Sequence, residues 1–529
     1  LLSSLTPPDL YLNYNHILFM GNSAMLLFLL ISSFAFAQKK NKPLERIGNS
    51  ITAADLKKHL YIVAGADMEG RDTPSPGLEK AGDYIEEQFK LSGLKPGYGD
   101  SYRQPYPLFR DSLISTSLKI NGTAFEVYKD FQPGNNYSAE MLLSEFVFAG
   151  YGIVDEGSDS YKDVDVRGKA VLILEGAPDN YKPSQQGFQN PAGTFGKLNA
   201  AAKKGAAAVI LVTKNFPRRA GASQVQWGPV GYRAAVNPVL FSVSENAAAA
   251  LMGEDGKGVF DKMKTAALLP KIYKANMELS YLKKTVTASV SNVLGLLEGT
   301  DKKDEYIVIT AHYDHVGKRN DSTIFYGADD DGSGTVTIME LAEAFSKAKA
   351  EGKGPRRSIL FMTVSGEEHG LWGSGFYTNH PVYPLEKTTA NINIDMIGRI
   401  GNDYLKGDKD SLNYVYIIGD NKLSSELAPI ADRVNNTYTK LKLDRKYNDP
   451  KDPNRFYYRS DHYNFAEKGV PIIFYFNGVH PDYHRPTDTP DKIRYGLLEK
   501  RAKLVFYTAM EMANRDEMLK RDIPLQQGY

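Results

Sequence analysis

The stretch "YIVITAHYD" (residues 306–314) is apolar or β-branched from Tyr306 to Ala311 and then turns polar at His312 and Asp314. A strand without polar alternation is buried on both faces. The next stretch, "SGTVTIMELAEAFSKAKA" (333–350), sets Ile338, Leu341, Ala342 and Phe345 on one helical face. Two further apolar runs follow, "SILFMTVSGEE" (358–368) and "ANINIDMIG" (390–398). Strands of this kind separated by helices predict an α/β fold, a central sheet with helices on both faces. Ligands of such sheets bind beyond the carboxyl ends of the strands.

Polar residues gather at those ends. His312 and Asp314 stand two apart and therefore on one side of an extended chain. "GADDDGSG" (327–334) supplies Asp329, Asp330 and Asp331 in a Gly-rich turn before the helix, where Ser333 is also a possible helix cap. "GEEHG" (366–370) places Glu367 and Glu368 side by side, Asp395 lies among apolar neighbours, and "DYHRPTDT" (482–489) offers His484. Seven of the nine histidines fall between residues 312 and 484, so a random surface scatter does not explain them. Adjacent carboxylates repel and are costly to desolvate without a cation. None of these segments supplies a lysine, and buried carboxylates at such an edge demand cations.

Composition narrows the chemistry. With no cysteine in 529 residues, disulfides, thiolate nucleophiles and Cys-ligated zinc are excluded, leaving His and carboxylates as metal ligands. A net charge of +1 points to neither nucleic acid nor an acidic membrane surface. At the start, the apolar stretch from Met25 to Ala37 ends in Ala-Phe-Ala before Gln38. As a helix it would reach roughly 20 Å, short of the ~30 Å hydrocarbon core. It reads as a cleaved leader over residues 1–37 and not as a membrane anchor, although no Lys or Arg precedes it. The mature protein is expected to be exported, periplasmic or secreted, with no stable membrane insertion.

Upstream of the sheet, Leu78, Ala81, Ile85 and Phe89 recur at helical spacing until "GLKP" (93–96) stops the helix. Beyond about residue 125 short β-like runs take over: "EFVFAGYGI" (145–153), "GKAVLILEG" (168–176), "AAAVILVT" (206–213) and "NPVLFSVS" (237–244). That region carries neither a histidine nor a close-set carboxylate cluster, and reads as a separate non-catalytic domain.

The ordered set "AHYDHVG", "YGADDDGSG", "SGEEHG", "NIDMIG", "SDHYNF" and "YHRPTDT" resembles the co-catalytic di-zinc aminopeptidase and glutamate carboxypeptidase family. "GYGIVDEG", "VRGKAVLILEG" and "AAKKGAAAVILV" are similar to the β-rich protease-associated domain inserted in many members. The resemblance implies a mixed sheet of the zinc-exopeptidase type. It divides the chain into residues 45–125 and 286–520 for the peptidase domain, and 126–285 for the protease-associated insert. It implies two zinc ions: Asp330 would bridge them, His312 and Asp395 would complete one site, and Glu368 and His484 the other. Asp314 would orient His312, and Glu367 would be the general base. The three ligand carboxylates would nearly neutralise the two dications, which makes their burial tolerable.

An oxyanion-assisting tyrosine is expected at Tyr457, Tyr458 or Tyr483. His315, His462 and His480 read as supporting or structural residues. The leading expectation is an exopeptidase that removes N-terminal residues from peptides. A carboxypeptidase or dipeptidase of the same family would need cations for a substrate carboxylate, and Arg399, Arg455, Arg459 and Arg485 are available. A single-zinc glutaminyl cyclase and a catalytically inert, partner-binding ectodomain are further alternatives.

Overall fold

The computed structural model describes residues 40–525 apart from 135–137, 188–189, 218–226, 230–237, 266–267, 321, 406 and 408. The leader expected over residues 1–37 lies outside the described residues. Among those described, no helix is long and apolar enough to cross a membrane. The chain divides into two compact units, Leu1–Gln104 with Asn292–Tyr529, and Pro105–Ser291.

The first unit is built on a mixed sheet. Its strands are β1 (Lys271–Leu297), β2 (Lys302–His312), β3 (Arg357–Val364), β4 (Thr388–Ile394), β5 (Tyr414–Ile418), β6 (Lys442–Asp444) and β7 (Ile472–Phe476). Only Val293–Leu297 of β1 pairs in this sheet. The spatial order is β6–β5–β7–β4–β2–β3–β1. Neighbours β7, β4, β2 and β3 run parallel, so their carboxyl ends lie along one edge. β5 and β1 are antiparallel to their inner neighbours β7 and β3.

Every residue of β3 and β4 is buried; β3 lacks polar alternation, whereas in β4 Asn391 and Asn393 alternate with isoleucines and are buried with hydrogen bonds to Thr310 and Ser460. The helices that cover the sheet are α1 (Pro76–Leu91), α2 (Gly334–Ala350), α3 (Trp372–Asn379), α4 (Leu427–Tyr438), α5 (His462–Glu467) and α6 (Tyr495–Asn514). Alternate residues of β3 face opposite ways. Phe361 meets Phe345 of α2, which in turn packs on Phe506 of α6 at 4.8 Å between ring centroids. Leu360 and Met362 instead join a core with Tyr377 of α3 and Phe465 of α5. Two distinct helical layers therefore sandwich the sheet. In α1, Leu78, Ala81, Ile85 and Phe89 are all buried, and Ser75 caps the helix by accepting from Leu78 N–H.

The second unit has its own mixed sheet. Parallel strands Ala139–Phe148, Ala170–Leu174, Ala208–Val212 and Val239–Val243 are flanked by antiparallel Lys271–Tyr281 and Phe131–Pro133. Between the second and third of these parallel strands runs the helix Thr194–Lys203, whose Ala200 and Ala201 are buried. Leu172, Ile210 and Phe241 centre one core, and Val171, Val209 and Ala201 another.

Candidate metal centre

The carboxyl ends of β2, β3, β4 and β7 bring the polar motifs of the first unit together. His312, the last residue of β2, is fully buried. Its Nδ1 lies 3.1 Å from the Asp314 carbonyl, which can only accept, so Nδ1 carries the proton. Nε2 is therefore the nitrogen that can ligate a metal. The Asp314 carboxylate, 3.6 Å from Nδ1, also accepts the Glu367 backbone N–H and so ties the end of β2 to the loop after β3.

The aspartates of "ADDDG" have different partners. Asp329 accepts the Gly398 N–H at 2.6 Å, and Asp331 accepts those of Gly334 (2.8 Å) and Met396 (3.0 Å). Asp331, not Ser333, thus meets the first N–H of α2; the Ser333 hydroxyl donates to the Asp329 carbonyl instead. Only Asp330 turns both oxygens toward imidazoles, with Oδ1 3.3 Å from His312 Nε2 and Oδ2 3.0 Å from His484 Nε2. Its backbone N–H is held by the Asp488 carboxylate, which also accepts from Asp329.

Around Asp330 the residues form two groups. On one side His312 Nε2 lies 3.7 Å from Asp395 and 3.9 Å from Glu367. Asp395 is aimed by the Ser460 hydroxyl, which donates to its Oδ2 at 2.7 Å. On the other side Glu368 lies 2.9 Å from His484 and 2.7 Å from His315 Nδ1. His315 is thus closer to this centre than its sequence reading as a supporting residue requires. The ligand-type atoms of His312, Glu367 and Asp395 lie within 4.8 Å of one another, as do those of His315, Asp330 and Glu368. His480 and His462 do not join either group: His480 meets Asp329 at 3.1 Å, and His462 donates to the Tyr457 carbonyl.

The electrostatics call for cations. Burial raises the Glu367 carboxyl well above its usual range; the charges of Glu368, Asp395 and Asp461 add to this against the opposing His312. Burial opposes protonation of His484, yet its contacts to Asp330 and Glu368 push the imidazole up to about 10. Nε2 of His312, Nε2 of His484 and Oδ2 of Asp330 are buried without a hydrogen bond. Orphaned imidazole nitrogens facing carboxylate oxygens are a donor set that suits zinc.

One buried cation escaped the sequence reading. Arg71 is fully buried, and its guanidinium donates to the carbonyls of Tyr313, Val63, Tyr326 and Gly327 at 2.8–2.9 Å. It fastens the "HYDH" segment to the "YGADDDG" turn. Burial pulls its pKa down to about 10 against the pull of Asp314, Asp331, Asp330 and Asp488. Arg71→Met is expected to cost about 3–5 kcal/mol by leaving buried carbonyls unpaired and carboxylates uncompensated. Urea unfolding measures this; a loss below about 1 kcal/mol would show that water replaces the guanidinium.

Beside the two groups a cleft is lined by Glu367, Asp395, Phe456, Arg459, Phe476 and Tyr483, among others. The Tyr483 ring stacks on His484 at 3.9 Å between centroids. Tyr457 and Tyr458 line a different pocket, with Lys422 and Arg455. Of the three tyrosines singled out in the sequence, Tyr483 is therefore the one beside the carboxylates.

The two His/carboxylate groups at the carboxyl edge of a mixed α/β sheet are donor sets that suit paired metal ions. Residues 292–509 match the model of peptidase family M28. A 217-residue stretch is 32% identical to a probable leucine aminopeptidase of Arthroderma otae, over 40% of this chain and 55% of that protein. Aminopeptidase YwaD of Bacillus subtilis is 26% identical over 257 residues, 46% of this chain and 50% of its own. The chain thus spans about half the length of these curated relatives. Among solved structures, an aminopeptidase from Aneurinibacillus sp. strain AM-1 is similar at 22% identity and a TM-score of 0.49. The likeness covers 92% of this chain and 100% of that one.

Proposed function

We propose that this chain is an exported, zinc-dependent exopeptidase that releases N-terminal residues from peptides. The observation that carries the reading is Asp330, which lies between the two groups with Oδ1 toward Nε2 of His312 and Oδ2 toward Nε2 of His484, both nitrogens otherwise without a hydrogen bond. His312 and Asp395 would hold one zinc ion, Glu368 and His484 the other, and Asp330 both. Zinc, when bound, supplies Lewis acidity toward a carbonyl and lowers the pKa of water.

The chain's own residues supply the rest. Glu367, beside His312 and with no backbone N–H on its carboxylate among the described residues, accepts the proton of the attacking water and returns it to the leaving amine. The carboxylate and the backbone carbonyl of Asp314 keep His312 Nδ1 protonated. Tyr483 presents a phenol beside Glu367 and donates to the oxygen that gains charge as the carbonyl is attacked. The apolar run from Met25 to Ala37, ending in Ala-Phe-Ala, supports export. The motifs in residues 126–285 support a protease-associated insert.

The test is a zinc-loaded incubation with one peptide carrying free termini and an N-terminal Gln, followed by mass spectrometry. Stepwise loss from the N-terminus is expected. Loss from the C-terminus would replace this reading with a carboxypeptidase, and loss of ammonia alone with a cyclase.

A further inference from the structure

The structure separates the four arginines that the sequence offers for a substrate carboxylate. Arg399 is taken: its guanidinium lies 2.7 Å from Asp482 and 3.4 Å from Asp488. Arg455 lies over the Tyr458 ring, in the pocket that also holds Asp449 and Asp452. Arg485 is not among the residues that line the cleft beside Glu367. Arg459 does line it, and among the described residues it is the only arginine or lysine to do so.

Three observations define the state of Arg459. Its guanidinium lies 5.1 Å from the centroid of the Phe456 ring. Its one side-chain hydrogen bond among the described residues is a long one, 3.4 Å, to the Tyr483 hydroxyl. No carboxylate of the described residues pairs with it, although Asp330, Glu367 and Asp395 line the same cleft. A guanidinium has five N–H donors in a planar fork that matches a carboxylate. Here most of those donors are unused, on a side chain that is itself exposed. The adjoining wall, with Met396, Phe474 and Val479, is apolar and would not hold an anion without it.

We propose that Arg459 binds a carboxylate of the substrate next to the scissile bond. The inference rests on the peptidase reading above and specifies its substrate class. Because Arg459 reaches Tyr483, a phenol placed to meet the scissile carbonyl oxygen, the carboxylate it holds lies a few bonds from that carbonyl. Two substrates present one there: a dipeptide, through its terminal α-carboxylate, or a peptide whose N-terminal residue is acidic. Arg459 is a specificity-determining residue in either case.

The experiment compares Leu-Ala, Leu-Ala-NH2 and Glu-Ala-NH2 on zinc-loaded wild type, Arg459→Gln and Arg459→Lys. A charge-assisted contact of this kind predicts that one carboxylate-bearing substrate exceeds Leu-Ala-NH2 in kcat/KM by about 10- to 100-fold, mostly through KM. That ratio falls to near one in Arg459→Gln and recovers in part in Arg459→Lys. A merely structural role would lower all three substrates together and leave the ratio standing. Preference for Leu-Ala identifies the α-carboxylate, and preference for Glu-Ala-NH2 the side chain. A ratio near one in wild type, or one unchanged in Arg459→Gln, overturns the proposal. If zinc-loaded wild type cleaves none of the three, the peptidase reading fails. Calorimetric titration of Leu-Ala and Leu-Ala-NH2 into wild type and Arg459→Gln then decides Arg459 by itself, and equal affinities overturn it.

Discussion

Glu367→Gln is expected to lower kcat by about 10²- to 10⁴-fold, the range typical of a lost general base, with zinc content unchanged. The amide keeps the volume and the position after β3 but cannot accept the proton of the attacking water. Two residues in sequence, Glu367 and Glu368, have different partners. Glu368 contacts His315 and His484, whereas Glu367 lies on the His312 side at 3.9 Å. That same proximity makes Glu367 a geometrically possible ligand with His312 and Asp395. The measurement therefore pairs single-turnover rates with metal analysis of the purified protein. A large rate loss with full zinc content identifies the base. Loss of one zinc equivalent would make Glu367 a ligand, and retention of more than about a tenth of the rate would remove it from the chemistry.

Asp330→Asn is expected to abolish the stabilisation that zinc confers. Metal bound only by the folded state stabilises it by about 2.7 kcal/mol at a hundredfold excess over Kd, and this appears as a rise in Tm. Asp330 is the group common to both halves of the centre, with Oδ1 toward His312 and Oδ2 toward His484. Replacing one oxygen with an NH2 removes its charge and turns a donor toward one imidazole, so both halves are weakened together. Near neutral pH the zinc-free variant is expected to melt somewhat lower than zinc-free wild type: burial opposes the Asp330 charge, but His312 and His484 hold that carboxyl well below its usual range, and the amide loses these contacts. Equal zinc stoichiometry and an equal Tm rise in the variant would show that the two groups bind metal independently of Asp330.

The likeness between motif and structure is closest at the strand ends. "SILFMTV" reads as a strand buried on both faces because it lacks polar alternation, and Arg357–Val364 is buried throughout. Glu367, Asp395 and His312 follow from that, since each stands at or just beyond the carboxyl end of such a strand. Ser333 reads as a helix cap by local rules, but Asp331 occupies that role because Met396, from a neighbouring strand end, shares its carboxylate. His315 stands three residues after His312, and nothing in that spacing reveals its 2.7 Å contact with Glu368.

The sequence by itself determined the α/β character of the first unit, the edge where its polar residues collect and the ligand chemistry available to them. Each of these depends on local periodicity and on residue type, which are written along the chain. Which of three consecutive aspartates is free, which tyrosine stands by the carboxylates and which arginine lines the cleft beside them were decided by tertiary structure. So was the place of Arg71, whose four carbonyl partners come from Val63, Tyr313, Tyr326 and Gly327. The physical reason is that hydrogen-bond satisfaction in a buried site is a property of segments meeting in space: a carboxylate is free for metal only after its neighbours have claimed the backbone amides.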